Sequence, residues 1–89
     1  MKLYLIHSAD AWLSYESFNL RAIATSEDNV KKLLDKILEE DDIPQDSRHD
    51  IVRKCIADRQ ILGCRDESGN RISYNISLEQ SDTLLNVNF

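Results

Sequence analysis

TSEDNVKKLLDKILEEDD, residues Thr25 to Asp42, is the stretch that decides the fold of this 89-residue chain. Its apolar residues recur at helical spacing and form one stripe: Val30, Leu33, Leu34, Ile37 and Leu38. Thr25 or Ser26 can accept the hydrogen bond that caps the first turn. Such a helix needs a surface to pack on, because propensity alone rarely stabilises it. We expect Leu34 at the centre of that contact.

Two segments before this helix have the composition of β-strands. Lys2 to Ser8 (KLYLIHS) is apolar on both faces, which predicts a central strand. Phe18 to Ala24 alternates, with Phe18, Leu20, Ala22 and Ala24 on one side and Asn19, Arg21 and Ile23 on the other. No helix-length crossover separates the two strands, so we expect antiparallel pairing, with Phe18 in the core.

A second helix and further strands are predicted downstream. Ile43-Pro44 should end the first helix, and the second is expected from Asp46 or Ser47 to about Asp58. Gln60 to Arg65 (QILGCR) is either a short strand or the tail of that helix.

The rest of the chain alternates between polar and apolar residues on either side of turns. Asp66 to Asn70 (DESGN) predicts a turn, and the strict alternation of Arg71 to Glu79 predicts the clearest strand. A final strand is predicted over Leu84 to Phe89, which also alternates.

This order, β-β-α-α-(β)-β-β, predicts a single α+β domain over residues 1–89, a small antiparallel sheet with two helices on one face. The other face is expected to expose Tyr4, Ile6 and Ile23. An uncovered apolar face favours a homodimer. The alternative is that the loop Ala9 to Ser17 folds over it, with Trp12 as its lid.

Composition limits the classes of partner. The net charge of −5 argues against direct nucleic-acid binding and is compatible with a basic protein partner. No apolar run is long enough to span a membrane, so a cytoplasmic protein is expected. Cys55 and Cys64 match no zinc-binding spacing and are expected to be free thiols. No metal or other cofactor is predicted.

The acidic run Glu39, Glu40, Asp41 and Asp42 is unusual because it crowds the negative end of the helix dipole, where cations are favoured. It is a solvated helix end, a carboxylate site for a divalent cation, or an acidic patch for a basic partner. Because local rules tend to fail at functional sites, the broken dipole rule supports the patch.

Trp12 and Tyr15 lie in the loop between the first two strands. These residue types dominate the energetics of protein interfaces, which makes them candidate binding residues. The alternative is that they cover the end of a small core.

A small enzyme that uses a His/Cys site or a carboxylate site is the competing hypothesis. His7 with Cys64, or His49 with Cys55, could act as base and nucleophile if the fold brought either pair together. The sequence contains no phosphate-binding glycine loop and no GxSxG or HExxH motif, so no catalytic residue is assigned.

The chain opens with the strand YLIHS, the aromatic loop AWLSYES, a second strand and the TSE helix start. In this arrangement it resembles small single-domain proteins encoded by bacteriophages and prophages, anti-CRISPR inhibitors among them. The resemblance covers about the first half of the chain and rests on size and architecture. It implies a non-catalytic protein that occupies a partner's surface in the host cytoplasm, the partner being a larger nucleic-acid-processing protein. A self-assembling structural module is a third possibility.

Overall fold

The computed structural model describes residues 2–12 and 17–80, which form a four-stranded antiparallel sheet and two helices. The order of the strands across the sheet is β2-β1-β4-β3. The predicted α+β class and element order are therefore confirmed for these residues. The elements are β1 (Lys2–Ala9), β2 (Asn19–Ala24), α1 (Glu27–Glu40), α2 (Gln45–Asp58), β3 (Gln60–Arg65) and β4 (Arg71–Gln80).

The first helix begins with a side-chain cap. The Ser26 hydroxyl accepts a hydrogen bond from the Asn29 backbone N–H at 3.2 Å, and α1 then buries the apolar stripe seen in the sequence. Leu34 is fully buried, as expected. The helix ends at Glu40, two residues earlier than the quoted stretch, because Asp42 takes a left-handed backbone conformation with φ 60°.

The second helix starts directly after Pro44 and ends where Arg59 adopts φ 63°. The ambiguous segment Gln60 to Arg65 is a strand, β3, paired antiparallel with β4. Its register shifts between Ile61 and Cys64, where Gly63 takes φ +65°, a conformation that glycine adopts without strain.

Both helices cover the same face of the sheet, with α1 over β1 and β2 and α2 over β3 and β4. The core between them contains Ile6, Ala24, Val30, Leu34, Ile37, Leu38, Ile43, Ile51, Cys55, Cys64, Tyr74 and Ile76. We call the opposite side of the sheet the open face.

The prediction for the open face was wrong in part. Tyr4 and Ile6 point toward the helices, and their neighbours Leu3 and Leu5 lie on the open face instead. Ile23 is on the open face as predicted, paired with Leu5 and 48% exposed.

A β-bulge at Arg21 explains a second error. Ile6 pairs with Ala22 but His7 pairs with Leu20, which leaves Arg21 as an extra residue in β2. The extra residue reverses the alternation. Leu20 and Phe18 therefore lie on the open face, and Phe18 is 39% exposed rather than part of the core.

The predicted strand Leu84 to Phe89 and the candidate residue Tyr15 lie outside the described residues. Both stay predictions.

Candidate protein-binding site

The end of α1 is joined to the sheet by an ion pair. The bulge turns Arg21 toward the helices, where its two terminal nitrogens donate to the two carboxylate oxygens of Asp41, each at 2.9 Å. Tyr74 donates its hydroxyl proton to Asp41 Oδ2 at 2.7 Å, and Arg21 also donates to the Ser8 hydroxyl at 3.2 Å. The side chains of Arg21 and Asp41 are only 19% and 14% exposed.

This cluster explains why an acidic helix end is tolerated. The last turn of α1 contains no basic residue, so the compensating cation comes from β2 instead. The hydrogen bond with Asp41 raises the pKa of Arg21. Burial is the larger cause, and the hydrogen bond with Asp41 the second cause, of a raised pKa at Tyr74. Of the predicted acidic run, Asp41 is therefore the residue whose largely buried carboxylate serves the fold, and Glu40 adds an exposed contact with Arg21 at 3.7 Å.

The other three members of the run are exposed: Glu39, Glu40 and Asp42. The turn between β3 and β4 adds a fourth carboxylate, because the backbone N–H of Glu67 donates to the Asp42 carbonyl at 3.0 Å. Glu67 is also exposed. We call Glu39, Glu40, Asp42 and Glu67 the acidic end. Sequence reasoning missed Glu67, because only the contact between the two turns places it there.

Trp12 lies at the same end of the sheet as these carboxylates. It comes three residues after Ala9, the last residue of β1. Ala9 pairs with Ser73, close to the start of β4 and the turn before it. The Trp12 backbone N–H donates to Asp10 Oδ1 at 3.0 Å, and the residue is 84% exposed. Trp12 therefore neither caps the core nor closes the open face as a lid.

The proposed His–Cys pairs do not form. Cys55 and Cys64 are both buried among core residues, and burial raises their pKa values to about 12 and about 11. His7 lies on the open face of the sheet, whereas Cys64 lies on the face that the helices cover. His49 lines the outer side of α2, whereas Cys55 faces inward.

A groove of about 830 Å³ runs along the outer side of the helix pair. Val52 and Ile56 form its apolar part, and they are half-buried because they also pack on the core. Side chains of both charges line it: Glu27, Lys31, Asp35, Arg48 and Arg53. The groove was not predicted, although these α2 residues recur at helical spacing beside the core stripe.

Two absences apply to residues 2–12 and 17–80 alone. No group of three His, Cys, Asp or Glu side chains among them could hold a metal ion. Neither does this part of the chain contain a helix long and apolar enough to cross a membrane. Comparisons of the chain with protein-family models, curated proteins and solved structures find no match.

Proposed function

We propose that this protein is a non-catalytic binding module that docks its acidic end and Trp12 onto a basic protein surface. The single observation that supports this proposal best is the grouping of four exposed carboxylates and an 84% exposed tryptophan at one end of the molecule. Carboxylates attract a basic surface over a long range and orient the encounter, and a tryptophan supplies buried contact area once the surfaces meet.

The Arg21–Asp41 ion pair supports the proposal because it fixes the helix end that presents the carboxylates. The bond from Glu67 to Asp42 fixes the neighbouring turn in the same way. A site held in place before binding loses less conformational entropy when the partner docks.

The partner that fits this chemistry is a larger nucleic-acid-processing protein, whose basic surface ordinarily contacts a phosphate backbone. Clustered carboxylates can occupy such a surface, and they repel nucleic acid itself. The resemblance to phage-encoded inhibitors suggests the setting, in which the protein acts in the host cytoplasm as an anti-CRISPR-like inhibitor.

The competing proposal of a small enzyme is less well supported. A nucleophilic cysteine needs a lowered pKa, and the pKa values of Cys55 and Cys64 are raised instead. The charged groove between the helices has no paired nucleophile and base among its described lining residues.

The test is inhibition of DNA cleavage by a panel of CRISPR effector nucleases. The wild-type chain is compared with a triple variant, Glu39→Ser, Glu40→Ser and Glu67→Ser, and with Trp12→Ala. The helix control also removes three exposed carboxylates, but from helix positions outside the acidic end: Asp35→Ser, Asp50→Ser and Asp58→Ser. Asp42 is left unchanged because its left-handed backbone makes substitution there a test of folding.

The wild type and the helix control should inhibit at least one effector, and the triple variant and Trp12→Ala should inhibit it at least ten-fold less, which is roughly the effect of losing one hot-spot residue. Added duplex DNA should compete with the wild-type protein for the effector. Absence of inhibition across the panel, or equal loss in the triple variant and the helix control, would overturn the proposal.

A further inference from the structure

The open face has a patch of large apolar side chains: Leu3, Leu5, Phe18, Leu20 and Ile23. Phe18, which precedes β2, and Leu20 and Ile23 in β2 are 39–49% exposed. We propose that this open-face patch joins two copies of the chain, face to face, in a two-fold dimer. This inference is independent of the proposed function, because the patch lies on the open face of β1 and β2, whereas α1 packs on their other face.

In the described residues neither helix covers the patch; Leu3 and Leu5 are partly exposed, and Ala9 and Ser73, farther along the same face, are buried. Both helices pack on the other face, and Trp12, the predicted lid, is 84% exposed. An apolar patch of this kind on a small protein is typical of an interaction surface.

The charges of the open face fit a second copy. Along β4, Arg71 lies at one end of this face and Glu79 near the other, and Arg65 is the cross-strand neighbour of Arg71. Between them β4 places three uncharged side chains on this face: Ser73, which is fully buried, and Asn75 and Ser77, which are half-buried.

His7 lies beside the patch, 5.8 Å from the Phe18 ring, and burial lowers its pKa. Burial therefore favours the uncharged imidazole. Two acidic chains that repel elsewhere can meet at this face, because Arg65 and Arg71 give it local positive charge.

Consider a two-fold axis that lies in the plane of the interface and runs perpendicular to the strands. It places each strand above the same strand of the second copy, with the two running in opposite directions. That arrangement brings the apolar patch of one copy onto the patch of the other. It also places Arg71 opposite Glu79 of the second copy at both ends. The face is thus complementary to itself, as an isologous interface requires.

The available area is close to the lower limit for a specific dimer. Strands of six to ten residues across four strands give a face of roughly 25 by 19 Å, or roughly 500 Å² in each copy. A specific interface needs roughly 1,000 Å² in total. The dimer is therefore weak and reversible, and it should form at the upper end of the concentration range.

Sedimentation equilibrium of the full chain, from low micromolar to millimolar concentration, tests the dimer. The mass should rise from 10.3 kDa toward twice that value. Leu20→Lys and Ile23→Lys should remain monomeric at every concentration. Trp12→Lys, which alters a more exposed apolar residue outside the patch, should dimerise like the wild type.

The charge arrangement has its own test. Arg71→Glu and Glu79→Arg should each weaken the dimer at least several-fold, whereas the double swap Arg71→Glu with Glu79→Arg should restore it. A constant mass of 10.3 kDa for the wild type would overturn the proposal and leave the patch to another segment of the chain or to a different partner. A dimer that survives Ile23→Lys, or a double swap that fails to recover, would overturn the face-to-face arrangement.

Discussion

Arg21 and Asp41 are twenty residues apart in the chain, yet each terminal nitrogen of the arginine donates to one oxygen of the aspartate at 2.9 Å. The pair joins a bulge in β2 to the end of α1. It supplies the positive charge that the helix end lacks, and it satisfies a carboxylate that is only 14% exposed.

We expect Arg21→Met to reduce the free energy of unfolding by about 2–4 kcal/mol, because it leaves the Asp41 carboxylate largely buried and without its cation. Tyr74 would still donate one hydrogen bond to it. Chemical denaturation measures the loss. The matched control is Arg53→Met, whose pair with Asp50 is more than 60% exposed on both sides and should contribute less than about 0.5 kcal/mol. Equal effects at the two sites would contradict a structural role for Arg21.

Leu34→Ala should cost about 2–5 kcal/mol, since Leu34 is fully buried between α1 and the sheet and its truncation leaves a cavity. Leu62→Ala is the control, because Leu62 is 55% exposed and its truncation removes little buried surface. Thermal and urea unfolding of both variants would measure the difference. A loss below about half a kcal/mol at Leu34 is incompatible with the packing described.

Stability should fall at alkaline pH because the thiols are buried in the folded state. Their pKa values are raised from 9.0 to about 12 for Cys55 and about 11 for Cys64. Above pH 9 the unfolded chain releases these protons while the folded chain keeps them. The contribution is fully present below about pH 9 and is lost as the pH rises toward 11–12.

Urea unfolding of the wild type and of Cys55→Ala, at neutral pH and at steps from pH 9 to 11, measures that slope. The variant starts from lower stability but should lose less of it over the alkaline range. Parallel curves for the two proteins would show that Cys55 does not contribute.

The acidic end should give partner binding a strong salt dependence. Adding salt screens exposed charges that are more than about 8 Å apart at physiological ionic strength, so affinity should fall as salt rises. Replacing Glu39, Glu40 and Glu67 by Ser should lower both the affinity and its salt slope, mostly through slower association. The readout is surface plasmon resonance at several salt concentrations. An unchanged slope would indicate that these carboxylates remain solvated in the complex.

Local patterns in the sequence were sufficient for the elements that depend on one periodicity. The α1 stripe gave a buried helix, and the strict alternation after Arg71 gave β4 with its helix-facing side chains Ile72, Tyr74 and Ile76. These elements were predictable because burial of one face requires the pattern.

The elements that depend on contacts across the chain were not predictable in this way. The bulge at Arg21 exists only through pairing of β2 with β1, and alternation within β2 placed Phe18 on the wrong side. The partner of Asp41 and the placement of Glu67 likewise need the assembled sheet. Trp12 and the exposed carboxylates of the run Glu39 to Asp42 were found by residue type, which identified candidates but could not show that they share one end of the molecule.

The extra residue in β2 has a consequence for how this chain can change. Because Arg21 is the residue that shifts the register, removing one residue from β2 would move the arginine away from Asp41. The same deletion would turn Leu20 and Phe18 inward, toward α1. Helix anchoring and the apolar open face therefore share a single constraint on strand length. Substitutions in β2 can alter the two properties separately, whereas a one-residue insertion or deletion alters both at once.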